Sequence, residues 1–558
     1  MLLGGKPTYV GPYKTFETRD YDLVLSTQGE PHTLVKHPNP LPPERSIPLI
    51  KENKKVVGAY FDSVTGRVVL ETVKPLKLGE EKNIFKKTGW FPVVRKPPLS
   101  NTVQTVRRLL TSEKRFPIFE EAGKRIWRNV THDWLRISFL GGCKQVGGTG
   151  VLLHSNEASV LLDFGATPGN AKQVFPFVAP ELLATPVDAL VVSHAHLDHS
   201  GGAPHLFARG ITPLVYATEP TIALTRLLAR DFAKVSGEKS GFSLDVVDKL
   251  VERTIPVPYR QAIRVAPDVE LTFYNAGHLP GSCMVYILFG DVGVLYTSDF
   301  TLTTTRLLEK ADPPPNNVDI LIIESTYADQ VHPNRKKEEK RLIKKVLDTL
   351  ERGGTVILPS FGVGRSQELL LILEDYGVDA PIHVDGMIRE ATRIVGSYPE
   401  YVSRVPNQDR IDMMYKEKQR NTVLDDPGER IILTTSGMLT GGPILRYLRE
   451  LGGDPKNSLL ITGYQAENTL GRRILDGERV IEVDGVRVEL KLEVEWYTLS
   501  GHVDRPGLWS FLRRLDGEPR VFVVHGEKNV CEAFARDIAN KTGLEACAPN
   551  NLDVFRIK

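Results

Sequence analysis

The decapeptide SHAHLDHSGG follows the apolar run DALVV directly and puts His194, His196, Asp198 and His199 on one turn. Imidazole and carboxylate are ligands that zinc favours, and a catalytic zinc must keep one position for water. His194 and His196 stand two apart on an extended turn and point to one side, while Asp198 and His199 point differently and can serve a second ion. Three imidazoles and a carboxylate at these offsets meet the needs of a two-metal hydrolytic site. There, coordination lowers the pKa of water from about 16 to about 7, and both ions neutralise charge growing on the substrate. With 13 His in 558 residues, such a pattern arises by chance in on the order of one chain in thousands, so scattered surface or core histidines explain it poorly.

Two further segments end apolar strands on residues of the same kinds, His278 in NAGHLPGS and Asp299 in LYTSDF. A carboxylate at the second position can bridge two ions at the roughly 3.5 to 4 Å spacing of binuclear sites. Asp163 in VLLDFG reads either as a buried acceptor that orients a ligand histidine or as an Asx turn before Gly165. Cys143, Cys283, Cys531 and Cys547 are scattered without a CxxC pair, which excludes a disulfide framework and a thiolate zinc site and leaves them as buried fillers.

At 558 residues the chain exceeds one ordinary core, so two to four domains are expected. With 41% hydrophobic and 25% charged residues it reads as globular, and no apolar run nears the roughly 20 residues of a membrane span. The start MLLGGKPTYVGPYK lacks the features of a secretory signal, so a cytoplasmic location is expected. A net charge of +2 excludes a wholesale polycation while leaving room for a basic groove among acidic faces.

Residues 1 to about 130 are rich in proline clusters, with basic residues concentrated between Lys82 and Arg128. There VVGAYFD and RVVLETV predict a hairpin across Ser63 to Gly66, EEKNIFKKTG a short helix, WFPVVRK a strand, and QTVRRLLTSEKRFPIFEEAGKRIWRN a helical linker. From Trp134 apolar strands alternate with helices and end in polar or glycine-rich turns, the texture of a helix-covered sheet with functional residues at strand ends. A second α/β pattern runs from about 330 to 496, and the last 60 residues return to helix, strand, helix and an extended tail.

The order LLDFG, HAHLDH, AGHLPGS and YTSDF resembles the four motifs of the metallo-β-lactamase fold, and the long insertion after them resembles the β-CASP subfamily of nucleic-acid-cleaving enzymes. The resemblance implies an αββα fold with an inserted α/β β-CASP domain and a small α+β KH-like N-terminal region. Glu324 in IIESTY matches the first β-CASP signature, His502 in LSGHVD the second and His525 in VVHGE the third. Histidine at the third signature is the mark of the RNA-processing members. By the same resemblance, His194, His196 and His278 hold one zinc ion, Asp198, His199 and His525 a second, and Asp299 bridges them, giving two Zn²⁺ per chain. His502, backed by Glu324, is then the general acid at the leaving oxygen. With Asp198 and Asp163 they make up the expected catalytic set.

In PSFGVGRSQELL, Ser360, Gly364, Arg365 and Ser366 precede a helix whose free N–H groups can hold an anion, and TTSGMLTGG offers Ser436, Gly437 and Gly441 in the same role. Both segments resemble turns that line the RNA path in β-CASP enzymes. The helix NRKKEEKRLIKK, with mixed signs, reads as a solvated face, and His383 in PIHVDG as structural.

The chain after residue 130 resembles the archaeal CPSF-like ribonucleases, counterparts of the eukaryotic pre-mRNA 3′-end endonuclease. The implied organisation is a reduced KH-like module at 1–45, a KH-like module and helical linker at 46–130, and a metallo-β-lactamase domain at 131–329 and 497–558, interrupted by a β-CASP domain at 330–496. A KH module clamps RNA with a GxxG loop, whereas this chain has PLKLGEEKN at that place, so RNA contact through basic residues and a purely structural role both stand.

The resemblance implies a zinc-dependent ribonuclease acting on single-stranded RNA in 3′-end processing and transcription termination. RNA polymerase or ribosome-associated machinery would be its partner, with homodimerisation through the tail NLDVFRIK. A 5′-to-3′ exoribonuclease of the ribonuclease J type is the nearest alternative. A small-molecule metallohydrolase would need neither the insertion nor the His502 and Glu324 pair. A non-catalytic RNA-binding protein would be expected to have lost at least one of seven ligand candidates.

Overall fold

Strands as short as Ser159–Leu162 and Ala189–Val191 are buried along their whole length, which requires packed layers on both faces of their sheet. The computed structural model describes residues 23–25, 33–35, 40–62, 66–98, 100–167, 174–178, 186–414, 416–426, 428–466 and 469–558. Its centre is a pair of seven-stranded sheets. The first runs in the order Thr254–Pro256, Leu214–Ala217, Ala189–Val191, Ser159–Leu162, Gly150–His154, Arg136–Gly141, Val554–Arg556. The second runs Ile263–Ala266, Val269–Asn275, Cys283–Phe289, Val292–Tyr296, Ile320–Glu324, Arg520–Val524, Ala546–Cys547.

Successive side chains of a strand alternate faces, and each sheet uses that alternation to fill two cores. Val160 and Leu162 enter the core between the sheets, where they join Val294 and Tyr296. Leu161 packs outward with the helices Glu219–Ser236 and Leu244–Glu252, and Leu295 outward with Arg505–Leu512 and Lys528–Thr542. The result is the αββα layering of a metallo-β-lactamase fold. Truncating one of these fully buried leucines to alanine would cost about 2 to 5 kcal/mol.

Ile320–Glu324 pairs in parallel with Arg520–Val524, so the chain leaves the second sheet after Glu324 and returns to the neighbouring position nearly 200 residues later. The excursion builds a parallel six-stranded sheet in the order Ile411–Met413, Ile382–Val384, Arg430–Thr434, Thr355–Pro359, Ser458–Ile461, Glu493–Trp496. It docks on the first layer through Val363, Ala391, Ile394 and Tyr398, which share a core with the helix Glu219–Ser236.

Near the N-terminus, helix Pro43–Lys51, strands Val56–Asp62 and Arg67–Thr72, helix Leu78–Thr88 and strand Phe91–Arg95 close around Ile50, Phe61, Leu70 and Trp90. The predicted hairpin is present as an antiparallel pair, and its turn at 63–65 lies outside the described residues. The predicted linker is two helices, Asn101–Leu110 and Arg115–Ile126. Buried pairs Arg107 with Glu71 at 2.6 Å and Arg115 with Asp62 at 2.9 Å tie this module to them. Most of the expected reduced module at 1–45 lies outside the described residues. No helix among the described residues is long and apolar enough to cross a membrane.

Candidate metal centre

His194 follows the strand Ala189–Val191, and His196 caps the one-turn helix Leu197–Ser200 that carries Asp198 and His199. This turn is strapped to the loop after Ser159–Leu162: Phe164 N donates to the His199 carbonyl at 2.9 Å and Ala166 N to the Leu197 carbonyl at 2.6 Å. The approach is so close that a Cβ on Gly165 would lie 1.7 Å from the Asp198 carbonyl oxygen, which requires glycine there. Asp163, Ser298 and His525, each at a strand end facing the centre, have φ of 56°, 50° and 50°. Left-handed backbone costs a non-glycine residue on the order of 1 kcal/mol, a strain typical of functional turns.

All seven expected ligands converge. His194, His196, His278 and Asp299 offer ligand atoms within 4.8 Å of one another, and so do Asp198, His199, Asp299 and His525. Asp299 belongs to both groups. Its Oδ2 lies 3.6 Å from His194 Nε2, 3.8 Å from His278 Nε2 and 3.4 Å from His199 Nε2, and its Oδ1 3.2 Å from His525 Nδ1. His525 Nε2 is 3.5 Å from Asp198 Oδ2.

The donors suit metal ions. His194 Nε2 and His196 Nε2 are buried without a hydrogen-bond partner, a costly state for polar atoms unless something else occupies their lone pairs. Burial pushes the imidazoles of His194 and His278 well below their ordinary pKa, which keeps them neutral as ligands must be. Burial opposes the charge on Asp299, but the imidazoles of His525, His199 and His502 outweigh it and hold this carboxyl well below the usual range.

The supporting contacts fix which nitrogen faces the centre. Asp163 is fully buried and accepts from His199 Nδ1 at 2.8 Å, from the Ser193 N–H at 2.8 Å and hydroxyl at 2.7 Å, and from the Tyr296 hydroxyl at 2.9 Å. It therefore reaches the centre through His199 and orients that ring. His278 Nδ1 donates to the Gly501 carbonyl at 2.9 Å, which turns its Nε2 towards the centre, 3.1 Å from His196 Nδ1.

Beside the centre, His502 Nδ1 lies 3.2 and 3.0 Å from the two Glu324 oxygens. Glu324 also accepts from the Phe300 N–H at 2.9 Å and the Thr326 hydroxyl at 2.6 Å. Burial disfavours a charged His502, but the Glu324 and Asp299 carboxylates prevail and raise its pKa to about 9.

The glycine-bearing turns of the insertion lie against the same cleft. A Cβ on Gly364 would stand 3.8 Å from the His278 carbonyl, and one on Gly437 would meet the Phe361 backbone nitrogen at 2.8 Å, so the two turns abut. Arg365 is half-buried, and its Nη1 is buried without a hydrogen-bond partner. Several of the expected phosphate contacts are engaged internally. Gly364 N donates to Gln367 Oε1 at 2.7 Å, Ser366 Oγ to the Gly362 carbonyl at 3.0 Å and Ser360 Oγ to the Phe361 carbonyl at 3.4 Å, while Ser436 Oγ accepts from Thr440 N at 3.0 Å. His383 pairs with Asp412 at 2.9 Å and belongs to neither ligand group.

Sequence reading passed over Tyr296, Ser193 and Thr326. Thr326 stands two residues after Glu324, the spacing that returns an extended chain to one face, and its hydroxyl lies 3.2 Å from His525 Nδ1 as well as on Glu324. Tyr296 stands three residues before Asp299, where its aromatic ring read simply as strand core.

The layered sheets and the shared carboxylate define a metal-dependent hydrolase of the nuclease class. Residues 144–339 match the metallo-beta-lactamase superfamily, 366–474 the Beta-Casp domain, and 487–549 the Zn-dependent metallo-hydrolase RNA specificity domain. The chain is 36% identical to transcription termination factor FttA of Methanocaldococcus jannaschii, over 97% of this chain and 92% of that protein. The proteins of the same name from Pyrococcus abyssi and Lokiarchaeum are each 37% identical, over 93% and 91% of this chain and 88% and 87% of theirs. The chain belongs to the FttA family of β-CASP metallo-β-lactamase proteins. A crystal structure of a protein of unknown function from Enterococcus faecalis shares the fold at a TM-score of 0.51 and 13% identity, over 76% of this chain and all of that one.

Proposed function

We propose that the chain hydrolyses phosphodiester bonds of single-stranded RNA endonucleolytically, using two zinc ions, to make 3′ ends at transcription termination. The observation that carries this reading is the His502 and Glu324 pair standing beside two ligand groups that share Asp299. His194, His196 and His278 would hold one ion, Asp198, His199 and His525 the other, with Asp299 between them. When bound, such ions supply Lewis acidity and lower the pKa of water enough to yield a nucleophile near neutral pH.

The chain's own residues do the rest. His502, protonated at neutral pH, is fit to give a proton to a departing ribose 3′ oxygen, which is a poor leaving group unaided. Glu324 holds the ring by Nδ1, so Nε2 is the nitrogen free to act. Arg365 offers a guanidinium with an unpartnered Nη1 to a phosphate oxygen, and Ser436, Gly437 and Gly441 line the facing turn. A small-molecule hydrolase has no use for this pair or for the insertion that carries Arg365.

RNA as the substrate is supported by the match of residues 487–549 to an RNA specificity domain and by histidine at position 525. Termination, with RNA polymerase or ribosome-associated machinery as partner and a cytoplasmic location, is supported by the names of the relatives. For a homodimer, the support is that Val554–Arg556 ends its sheet, with one edge paired to Arg136–Gly141 and the other without a partner strand among the described residues. We assign residues 131–329 and 497–558 to one domain interrupted by 330–496, a division that the pairing of Ile320–Glu324 with Arg520–Val524 favours. For the KH-like module at 46–105 we infer a structural role, since the helix Leu78–Thr88 starts where a GxxG clamp would be.

The test is incubation with RNA labelled at its 5′ end beside matched single-stranded DNA. Internal fragments from RNA alone are expected. Mononucleotide release would replace the endonuclease with a 5′-to-3′ exonuclease, and equal cleavage of DNA would remove the RNA assignment.

A further inference from the structure

Trp496 ends the outer strand of the six-stranded sheet, and its indole is 44% exposed. The ring is nevertheless pinned, because Nε1 donates to the Gly463 carbonyl at 3.3 Å. A Cβ on Gly463 would stand 2.8 Å from the Phe361 ring, so Phe361 lies directly against the residue that holds the indole. Phe361 is in turn 6.1 Å, ring to ring, from His196. From the next residue, Tyr464 stands 6.4 Å from Tyr327, and Tyr327 stands 5.9 Å from His502. Aromatic rings thus run from His196 and from His502 to the loop at Gly463, on which the exposed indole sits.

A basic helix adjoins the same residue. Arg341, in the helix Arg335–Glu351, donates to the Trp496 carbonyl at 2.6 Å while pairing with Glu338 at 2.9 Å and Glu495 at 3.6 Å. Lys337 and Lys344 lie one helical turn to either side of Arg341, are exposed, and carry no ion pair among the described residues. Of the acidic groups of the strand, Glu493 is engaged by Lys345 and Arg352 and Glu495 by Lys345 and Arg341, so they do not oppose an anion at the indole. A rigid exposed aromatic face beside unpaired cations is how proteins hold single-stranded nucleic acid, because every base has a π-face and every link a phosphate.

We propose that Trp496 is a stacking plate for one nucleobase of a single-stranded RNA, with Lys337, Arg341 and Lys344 along the phosphates of adjoining nucleotides. The helix expected to be a merely solvated face is, on this view, the wall of the RNA path. The proposal rests on RNA being the substrate, and it adds a subsite outside the metal centre that is indifferent to base identity.

The test uses the full chain carrying His502→Ala to slow cleavage, a fluorescent single-stranded RNA of mixed sequence, and the same RNA with one abasic ribose moved along it. Trp496→Ala is expected to weaken binding on the order of tenfold, and Trp496→Phe to restore most of it. One abasic position should cost about as much as Trp496→Ala, and that cost should vanish in the Trp496→Ala protein. Because Trp496 is the exposed tryptophan of the chain, RNA should also quench intrinsic fluorescence, and this quenching should be lost in Trp496→Phe. Equal affinity of the Trp496→Ala protein, or an abasic cost that persists in it, overturns the stacking plate and leaves the RNA assignment standing. Absence of RNA binding by the parent protein overturns both.

Discussion

His502 Nδ1 lies 3.0 Å from Glu324 Oε2, with the His502 ring 4.7 Å from that of His278. The pair joins Asp299 in a third group of ligand atoms within 4.8 Å of one another, and belongs to neither of the two histidine-rich groups. Chemistry and metal binding should therefore separate on mutation. His502→Ala is expected to keep its full metal content and lose about 10²-fold to 10⁴-fold in kcat, the usual worth of a positioned general acid. Elemental analysis beside single-turnover cleavage decides it, and unchanged kcat would remove the assigned role. Glu324→Gln, which keeps the shape and loses the charge, should fall between the two.

Asp163 acts at one remove. It holds His199 by Nδ1 while Ser193 and Tyr296 hold Asp163, so its loss frees the ring to turn. Asp163→Asn is expected to lower metal affinity by about 10-fold to 100-fold with secondary structure intact, measured by competition with a coloured chelator. Wild-type affinity in that variant would reduce Asp163 to a turn former.

The two ligand groups share one carboxylate, which fixes the pattern of metal loss. His278→Ala and His525→Ala should each bring the content from two ions towards one, whereas Asp299→Ala should empty both sites. Removal of metal by chelator should lower the melting temperature and abolish cleavage, and added zinc should restore both, because ions that bind the folded chain alone stabilise it by mass action. If Asp299→Ala retains two ions, the shared-ligand arrangement is wrong.

How much of this was readable from sequence depends on how local each signal is. The metal residues sit at ends of apolar strands, where the change from alternating apolar residues to a polar turn marks both element and function, so their convergence was legible from SHAHLDHSGG, His278 and Asp299. The layered fold was legible for the same reason. Contacts fixed by tertiary placement were not. Thr326 reaches His525, about 200 positions away, only because Ile320–Glu324 and Arg520–Val524 are neighbours in one sheet. Likewise Ser366 looked available to phosphate in sequence, while the folded turn gives its hydroxyl to Gly362. Trp496 carried no motif at all, and its significance lies in its exposure and its hydrogen bond to Gly463.

Acid sensitivity of the insertion should trace to Asp385. Burial opposes its charge, but two hydrogen bonds from Arg420, at 2.6 and 2.9 Å, and one from the Tyr447 hydroxyl at 2.9 Å prevail and lower its pKa. A carboxyl with a depressed folded pKa contributes stability that is present above its unfolded pKa, about 3.9, and is lost as pH falls through the folded value. Asp385→Asn should therefore cost on the order of 2 kcal/mol at pH 7, and the gap to wild type should narrow below about pH 4. Denaturant melts at pH 7, 5 and 3 would check this, and a gap independent of pH would contradict it.

Arg365 separates substrate binding from metal binding most directly. Burial lowers its pKa to about 10, with Arg335 adding to the effect, yet it stays charged at neutral pH with Nη1 unpartnered. A buried N–H left this way is costly unless an acceptor completes it. Arg365→Gln is expected to keep both ions and the fold while losing on the order of 10²-fold in kcat/KM on RNA, a size set by the charge-assisted hydrogen bonds removed. Arg365→Lys should recover only part, since an ammonium is a point charge without the guanidinium's planar fork. If the phosphate contact forms in the ground state, KM rises while kcat holds. If it forms as charge develops on the phosphate oxygens, kcat falls at constant KM. Wild-type values for both constants in Arg365→Gln would show that the guanidinium serves the packing of the Arg365–Asp375 helix instead.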